Sequence, residues 1–305
     1  MKKINIGQSG LYGSQIALGC MRILGMESEA IRTLVHTCME EGITFFDHAD
    51  IYGGGQCEEA FSNALAMKPS FREKIIIQTK CAIANGYFDF SKEHILNSVE
   101  GSLKRLNTDY IDVLLLHRPD TLMEPDEVAD AFDTLKSSGK VRHFGVSNQK
   151  PGQIRLLQKS LNVPIIANQL QFSIAHTGMI DAGFNVNMKN EKSIDHDSEV
   201  LEFCRLKEIT IQPWSPFQHG FFNGSFIGND DYKALNDKLK ELGTVYDLSP
   251  TAMAIAWILH HPAKMQPIVG TTNVERIRQI AKASDVAINR QEWYEIYKSA
   301  GNILP

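Results

Sequence analysis

Four side chains that can move a proton together follow successive predicted strands in the first half of the chain. They are Asp47, Tyr52, Lys80 and His117. A phenol, with a pKa of about 10, is a poor proton donor at neutral pH, but a neighbouring ammonium stabilises the phenolate and lowers that pKa. A carboxylate keeps a buried lysine charged, and a neutral imidazole can hold a carbonyl oxygen against the phenol. This set has the chemistry to protonate the alkoxide that forms when a carbonyl is reduced.

The elements that would bring these side chains together are predicted by a regular alternation. Short apolar or β-branched runs alternate with longer segments of helical period. The opening, Lys3–Ile6 and Gln15–Leu18 around glycines 7, 10 and 13, predicts a hairpin followed by a first strand. Later strands are predicted at Thr44–Phe46, Ile75–Gln78, Tyr110–Leu116, Val141–Val146, Ile165–Asn168, Thr210–Pro213 and Pro267–Val269. Helices are predicted at Glu29–Glu41, Cys57–Met67, Lys92–Leu106, Pro125–Ser138, Pro151–Lys159, Ser198–Lys207, Tyr232–Leu242, Pro250–His261, Asn273–Lys282 and Gln291–Ala300.

Eight strand-then-helix units predict a parallel sheet whose strands are joined by crossover helices. In a chain of 305 residues this favours an α/β fold of the closed (β/α)8 TIM barrel type, one domain over residues 1–305, with an N-terminal β-hairpin and long loops on the active face. An open dinucleotide-binding sheet would need G-x-G-x-x-G after its first strand, whereas these glycines have another spacing and precede it. The connection Ile174–His196 is predicted to be either a lid, the alternative that we favour, or disordered surface.

Composition restricts the partners and the compartment. The chain has 31 basic and 36 acidic residues, a net charge of −5 and no basic block, which argues against a nucleic-acid partner. Its five cysteines are scattered and form no C-x-x-C pair, a pattern typical of reduced thiols and not of disulfides or a metal site. No signal peptide or uninterrupted apolar run of about 18 residues is present. We therefore expect a cytoplasmic protein, monomeric or weakly homo-oligomeric, without membrane or metal partners.

The segments around the four residues resemble the aldo-keto reductase family. The match lies in Gly42–Gly53, Gln78–Lys80, Leu116–Asp120, Gly139–Asn148, Gln169, Trp214–Pro216 and Gly270–Arg276, in the family's order and over nearly the whole chain. The segments Asp-His-Ala-Asp-Ile-Tyr-Gly and His-Arg-Pro-Asp are most similar to a bacterial subgroup of oxidoreductases, the YdhF-like proteins. The resemblance implies an NADP(H)-dependent enzyme that reduces aldehydes or ketones, with Tyr52 as the general acid, Lys80 and Asp47 tuning it, and His117 orienting the substrate.

The resemblance also implies a cofactor site beyond the strand ends. Amide and hydroxyl side chains would bind the nicotinamide carboxamide, and Trp214 would stack where the family usually has a tyrosine. The segment from Gly270 leads into a helix whose free N–H groups favour an anion, and Arg276 can clamp a 2′-phosphate. Many family members carry lysine where Gly270 stands, so one positive charge is missing here. The candidate cofactor residues are Met21, Arg22, Asp47, Ser147, Asn148, Gln169, Trp214, Ser215, Phe217, Gly270, Thr271, Thr272 and Arg276.

Two other functions are compatible with these residues. The first is a redox-sensing regulatory protein that binds the cofactor and turns over very slowly. The second is a phosphate-binding aldolase in which Lys80 forms a Schiff base. Each of the four residue types, taken alone, is more often structural, and their co-location is what favours catalysis.

Other polar and aromatic side chains near the strand ends have weaker functional signals. Arg118 and Asp120 are predicted to form a structural pair. His48, Asp50, Arg142 and His143 are interpreted mainly as structural, Cys57 and Cys81 as packing residues, and Phe221, Phe222 and Phe226 as a substrate wall or a loop seal.

Overall fold

The computed structural model describes residues 1–305 and contains eight parallel strands in a nearly closed barrel, with helices packed around it. The hairpin strands are β1 (Lys3–Asn5) and β2 (Tyr12–Ser14). The barrel strands are β3 (Ala17–Gly19), β4 (Phe45–Asp47), β5 (Ile76–Cys81), β6 (Ile111–Leu116), β7 (Val141–Ser147), β8 (Ile165–Gln171), β9 (Thr210–Trp214) and β10 (Ile268–Val269). The helices are α1 (Ser28–Glu40), α2 (Gln56–Leu65), α3 (Pro69–Arg72), α4 (Lys92–Leu106), α5 (Pro125–Ser137), α6 (Pro151–Gln158), α7 (Gly178–Phe184), α8 (Val200–Leu206), α9 (Lys233–Tyr246), α10 (Pro250–His260), α11 (Val274–Lys282) and α12 (Arg290–Ser299).

The barrel strands are hydrogen-bonded in the order β10-β3-β4-β5-β6-β7-β8-β9. Between β9 and the segment before β10, the Gln266 amide donates to the Ile211 carbonyl at 3.0 Å. The predicted TIM barrel and its N-terminal hairpin are therefore confirmed.

None of the helices on its own combines the length and the apolar character that crossing a membrane would need.

Alternation along the strands separates two apolar layers. Phe46 and Leu114 point outward into the large core between strands and helices, whereas Phe45, Val113 and Leu115 belong to a small cluster inside the barrel. This period of two is what a strand requires when both of its faces are buried. The inner cluster fills the end of the barrel opposite the polar strand ends.

The N-terminal hairpin closes that apolar end. Ile6, directly after β1, is fully buried in the inner cluster, and the Gly7 amide donates to Thr210 Oγ1 at 2.8 Å. Gly7 has a φ of +55°, and a Cβ there would lie 2.3 Å from the Ile166 carbonyl oxygen. Only glycine fits this approach, which fixes the hairpin across the base of the barrel.

Two strands, β5 and β8, end three residues later in the structure than the sequence indicated. β5 continues past Gln78 because Thr79, Lys80 and Cys81 pair with β6, so Lys80 lies inside its strand and not beyond it. β8 continues past Asn168 because Gln169 to Gln171 pair with β9. Pairing with an adjacent strand decides these ends, and a single segment does not contain that information.

The prediction of a lid at Ile174–His196 was wrong for this structure, because no residue of that segment lines the cavity described below. The segment contains α7, which is tied to the C-terminal helix α12. Tyr297 on α12 donates to Asp181 Oδ1 at 2.7 Å, and Lys192 Nζ donates to Asp181 Oδ2 at 3.3 Å. The Tyr297 contact ties α7 to α12, and the Lys192 contact fixes the segment to itself.

Candidate active site

The register of the parallel strands brings the predicted proton-transfer residues to one end of the barrel. Asp47 at the end of β4 pairs with Gln78 on β5, and Lys80 on β5 pairs with Leu115 on β6. His117 follows β6 directly. Carboxyl ends of parallel strands share one rim, so residues far apart in the sequence meet there.

Lys80 lies at the centre of this group. Its side chain is fully buried, and Nζ donates to Asp47 Oδ2 at 2.7 Å, to the His48 carbonyl at 2.8 Å and to Tyr52 Oη at 3.1 Å. All three ammonium hydrogens therefore have an acceptor. The phenol, the ammonium and the carboxylate form a continuous chain of contacts, as the sequence predicted.

The protonation states follow from burial and these contacts. Burial opposes the charge of Lys80, but Asp47 and Tyr52 together raise the pKa of Lys80 above its ordinary value. Burial also raises the pKa of the Tyr52 phenol, and the ammonium offsets only part of that shift. Lys80 lowers the pKa of the phenol, as the sequence predicted, but burial has the larger effect, so the net pKa of Tyr52 lies above its ordinary value. At neutral pH Lys80 is charged and Tyr52 carries its proton.

His117 forms the adjoining wall. Its ring lies edge-on to Tyr52, with centroids 5.9 Å apart, and its Nδ1 has no hydrogen-bond partner in the protein. Burial, followed by the charges of Lys80 and Arg118, lowers the pKa of His117 well below its ordinary value. The imidazole is therefore neutral and can hydrogen-bond a polar ligand.

A layer of buried glutamines under the rim holds Asp47, and the sequence did not indicate most of it. Gln78 Nε2 donates to Asp47 Oδ1 at 2.6 Å and Gln169 Nε2 to the same atom at 3.0 Å. Gln212 bonds Gln78 and, at 2.8 Å, Gln266. These amides come from inward-facing positions on several strands. Alternation along one strand shows which residues face inward, but the register between strands is needed to show that these residues meet. They orient Asp47 and satisfy Oδ1.

A cavity of about 680 Å³ opens above this layer. Tyr52, His117 and Asp47 line it, whereas Lys80 does not and reaches it only through its neighbours. Of the candidate cofactor residues, all but Thr272 line the cavity. Thr272 is exposed beside them.

The nicotinamide candidates form one connected wall. Asn148 Nδ2 donates to Ser147 Oγ at 2.8 Å, Ser147 Oγ donates to the Gln169 carbonyl at 3.1 Å, and Trp214 Nε1 donates to Asn148 Oδ1 at 3.1 Å. Asn148 and Ser215 have φ angles of 57° and 51°, so the backbone turns sharply at both places. The wall presents an indole, hydroxyls and amides side by side.

The neighbouring wall, which follows β10, is suited to an anion. Gly270 and Thr271 lead into α11, where the N-cap Asn273 accepts from the Arg276 amide at 2.9 Å. A Cβ on Gly270 would meet nothing within 4 Å, so the space beside it is open. Arg276 is exposed at the cavity edge. Helix N–H groups and a guanidinium at one place favour a phosphate.

The predicted pair between Arg118 and Asp120 was wrong. Asp120 accepts instead from the backbone amides of Phe90 at 3.0 Å and Leu122 at 2.8 Å. Arg118 turns into the cavity, with its guanidinium carbon 5.9 Å from the centre of the Trp214 ring. Because loop amides satisfy the Asp120 carboxylate, Arg118 does not pair with it, and its side chain lines the cavity.

The remaining candidates divide between residues that line the cavity and residues that do not. Phe221 and Phe222 line the cavity, as do Ile51, Ile83 and Thr251, which the sequence analysis missed. Phe226 is buried in the core. The side chains that the sequence analysis interpreted as structural or packing residues do not line the cavity: His48, Asp50, Arg142, His143, Cys57 and Cys81.

An eight-stranded barrel in which a phenol, an ammonium and a carboxylate are in contact at the strand ends is typical of a class of oxidoreductases. Comparison with known proteins gives the family. The model of the aldo/keto reductase family matches residues 15–300. The chain therefore belongs to the aldo/keto reductase family, and it is an oxidoreductase of the YdhF-like subgroup.

The relatives match along nearly their whole length. The chain is 35% identical to oxidoreductase YdhF of Escherichia coli, over 98% of both chains, and 37% identical to the uncharacterized oxidoreductase YcsN of Bacillus subtilis, over 97% of both. It is 35% identical to a 6-dehydroglucose reductase of Agrobacterium fabrum, over 94% of both.

Solved structures support the same fold. The thermostable aldo-keto reductase Tm1743 in complex with the inhibitor epalrestat has a TM-score of 0.78 at 24% identity, covering 98% of this chain and 100% of that one. The aldo-keto reductase of Klebsiella pneumoniae in complex with NADPH has a TM-score of 0.78 at 20% identity, covering 97% and 94%.

Proposed function

We propose that this protein reduces aldehydes or ketones to alcohols with NADP(H), and that Tyr52 is the general acid. The observation that carries the proposal is the chain from Tyr52 Oη through Lys80 Nζ to Asp47 Oδ2, at 3.1 and 2.7 Å, beneath an open cavity. Bound NADPH would supply a hydride to the carbonyl carbon, and the remaining proton must come from the protein.

Tyr52 is placed to give that proton. Its phenol is protonated at neutral pH because burial raises its pKa, and it lines the cavity where a carbonyl oxygen would sit. When the proton leaves, the phenolate that remains is beside the Lys80 ammonium, which stabilises it. Neutral His117 can donate or accept at the same carbonyl oxygen and fix its position.

The residues present fit a nicotinamide dinucleotide. Two polar atoms of cavity-lining residues, His117 Nδ1 and Gln218 Oε1, have no partner in the protein, as expected where a polar ligand completes the site. Ser147, Asn148 and Gln169 would hold the carboxamide. Trp214 would stack on the nicotinamide ring.

Ser215 and Phe217 would line the pyrophosphate. Arg276 and the start of α11 support NADP(H) over NAD(H), because a guanidinium can bind the 2′-phosphate bidentately. Met21 and Arg22 lie at the cavity edge and would add contacts to the cofactor or substrate.

The Schiff-base alternative is disfavoured by the state of Lys80. A lysine nucleophile must be neutral, whereas Asp47 and Tyr52 raise the pKa of Lys80 despite its burial. Its three donor positions are also occupied, and it does not line the cavity. No feature of the site favours the regulatory alternative, which the turnover measurement below addresses directly.

The test combines binding and turnover. We expect NADPH to quench tryptophan fluorescence and to be oxidised with a reactive aldehyde. Tyr52→Phe should retain binding and lose about 10²- to 10⁴-fold in kcat, the usual contribution of a general acid. Tyr12→Phe, an exposed tyrosine on the hairpin at the far end of the barrel, is the matched control and should behave as the unmodified protein. Full turnover by Tyr52→Phe, or an absence of NADPH binding, would contradict the proposal.

A further inference from the structure

Arg118 is a half-buried cation at the cavity wall with no anionic partner in the protein. It follows His117 directly and lines the same cavity. Its guanidinium carbon lies 5.9 Å from the centre of the Trp214 ring and 5.6 Å from that of Phe221. Aromatic faces thus flank the group, and Tyr52 is the only titratable group whose charge favours its protonated form.

The other buried or half-buried arginines each form an ion pair with a carboxylate. Arg72 Nη2 lies 2.7 Å from Asp112 Oδ2, and Arg105 Nε lies 2.8 Å from Glu58 Oε2. A cation that loses water without gaining a counter-ion costs free energy. Burial accordingly lowers the pKa of Arg118, although arginine stays charged at neutral pH. Such a group is ready for an anion that enters the cavity.

The position of Arg118 separates it from the proposed cofactor phosphates. It lies beyond β6, while Arg276 lies beyond β10, and these strands are four places apart in an eight-stranded ring. The two arginines are therefore attached at opposite sides of the rim, and the Arg118 guanidinium extends towards Trp214 at the end of β9. Arg118 adjoins His117 closely enough to lower the pKa of that imidazole, which places it at the end where the carbonyl would react. Asp47 is the only acidic residue that lines the cavity, and Lys80 already pairs with it.

We propose that Arg118 forms an anion subsite for the substrate, and that the preferred substrates are carbonyl compounds carrying a carboxylate, such as semialdehydes. The inference rests on the proposed function, since it takes Tyr52 as the point where the carbonyl binds. Because aromatic rings and no acceptor groups flank the guanidinium, its N–H groups remain available for a bidentate carboxylate contact.

The test compares two aldehydes that differ at one end only, where one carries a negative charge and the other a neutral methyl ester. Succinic semialdehyde carries a carboxylate, and methyl 4-oxobutanoate is its neutral ester; two methylenes insulate either group from the carbonyl. We expect kcat/KM with NADPH to favour the semialdehyde by about ten- to a hundredfold, the range of a charge-assisted hydrogen bond. Equal values for the two aldehydes would overturn the proposal.

Substitution of the arginine assigns the preference to this residue. Arg118→Met should bring the ratio of kcat/KM between the two aldehydes close to one. Arg118→Lys should restore part of the ratio, because lysine keeps the positive charge but cannot form the bidentate contact of a guanidinium. Arg155→Met is the matched control, since Arg155 also lies over an aromatic ring, 4.8 Å from the centre of Phe203, but outside the cavity. A ratio that survives in Arg118→Met, or a loss of NADPH affinity without a change in the ratio, would assign Arg118 to another role.

Failure of the proposed function would be distinguishable from failure of this inference. If neither aldehyde were reduced, calorimetric titration with succinate and with uncharged succinamide would still probe the subsite. Succinate binding that Arg118→Met abolishes would support the anion subsite, and succinate binding no stronger than that of succinamide would overturn it.

Discussion

Replacement of Lys80 by methionine tests the buried chain of contacts most directly. Lys80→Met leaves Asp47 buried, with amide donors from Gln78 at 2.6 Å and Gln169 at 3.0 Å but without its cation. Breaking a buried ion pair on one side costs about 3–5 kcal/mol of folding free energy. Unfolding entropy is about 2.1 cal/mol/K per residue, so for 305 residues the loss corresponds to a fall in Tm of roughly 5–8 °C.

A double-mutant cycle separates the ion pair from the lost packing. Asp47→Asn/Lys80→Met removes both charges and keeps the amide contacts, so it should recover about 2 kcal/mol or more relative to Lys80→Met. Thermal and urea unfolding measure both values. Lys104→Met, on the exposed face of α4, is the control and should lie within about 0.5 kcal/mol of the unmodified protein.

The pH dependence gives a second measure of the same pair. Because the pKa of Lys80 is raised above its ordinary value of 10.5, its stabilisation is fully present below that pH and is lost as the pH rises through the folded-state pKa. The deficit of Lys80→Met should therefore be constant near neutral pH and shrink at strongly alkaline pH. Additive single substitutions, or a deficit below about 1 kcal/mol, would refute the reasoning, since the pair would then act as a solvated one.

Three further predictions concern side chains at the site and at the far end of the barrel. Burial raises the pKa of Asp50 from 3.8 to about 7, so this carboxyl costs stability progressively as the pH rises from 3.8 to about 7, and the cost is complete above that pH. Asp50→Asn should therefore stabilise the protein by up to about 4 kcal/mol at about pH 8 and by little at about pH 4 in urea unfolding. Trp214→Phe removes the 3.1 Å bond to Asn148 and should weaken NADPH binding about two- to tenfold by calorimetry. Asp112→Ala leaves Arg72 without its 2.7 Å partner and should lower the free energy of unfolding by about 3–5 kcal/mol with turnover retained in the folded fraction.

Much of the fold and the site follows from local sequence because the chemistry lies at strand ends. Asp47, Tyr52 and His117 follow apolar runs, and parallel strands must end at a common rim. Their proximity could therefore be predicted without coordinates. Lys80 was also found, although its strand extends past it, because the error of a few residues did not move it to the other end of the barrel.

The contacts that the sequence did not predict are those decided by partners distant in the chain. The four glutamines below Asp47 meet only once the register of all strands is fixed. Arg118 and Asp120 looked like a local pair, yet loop amides of Phe90 and Leu122 take the carboxylate. No pattern inside Ile174–His196 shows that Tyr297 will anchor it.

The burial of Lys80 restricts how a proton can reach a substrate. Lys80 does not line the cavity, and both oxygens of Asp47 are engaged, Oδ2 by Lys80 and Oδ1 by Gln78 and Gln169. Neither group can donate to a carbonyl directly, so under the proposed function Lys80 and Asp47 act on the transferred proton only through Tyr52. The buried pair then acts on the free energy of the phenolate and not as a second proton source. Substitutions at Lys80 should accordingly lower kcat while leaving NADPH affinity nearly unchanged.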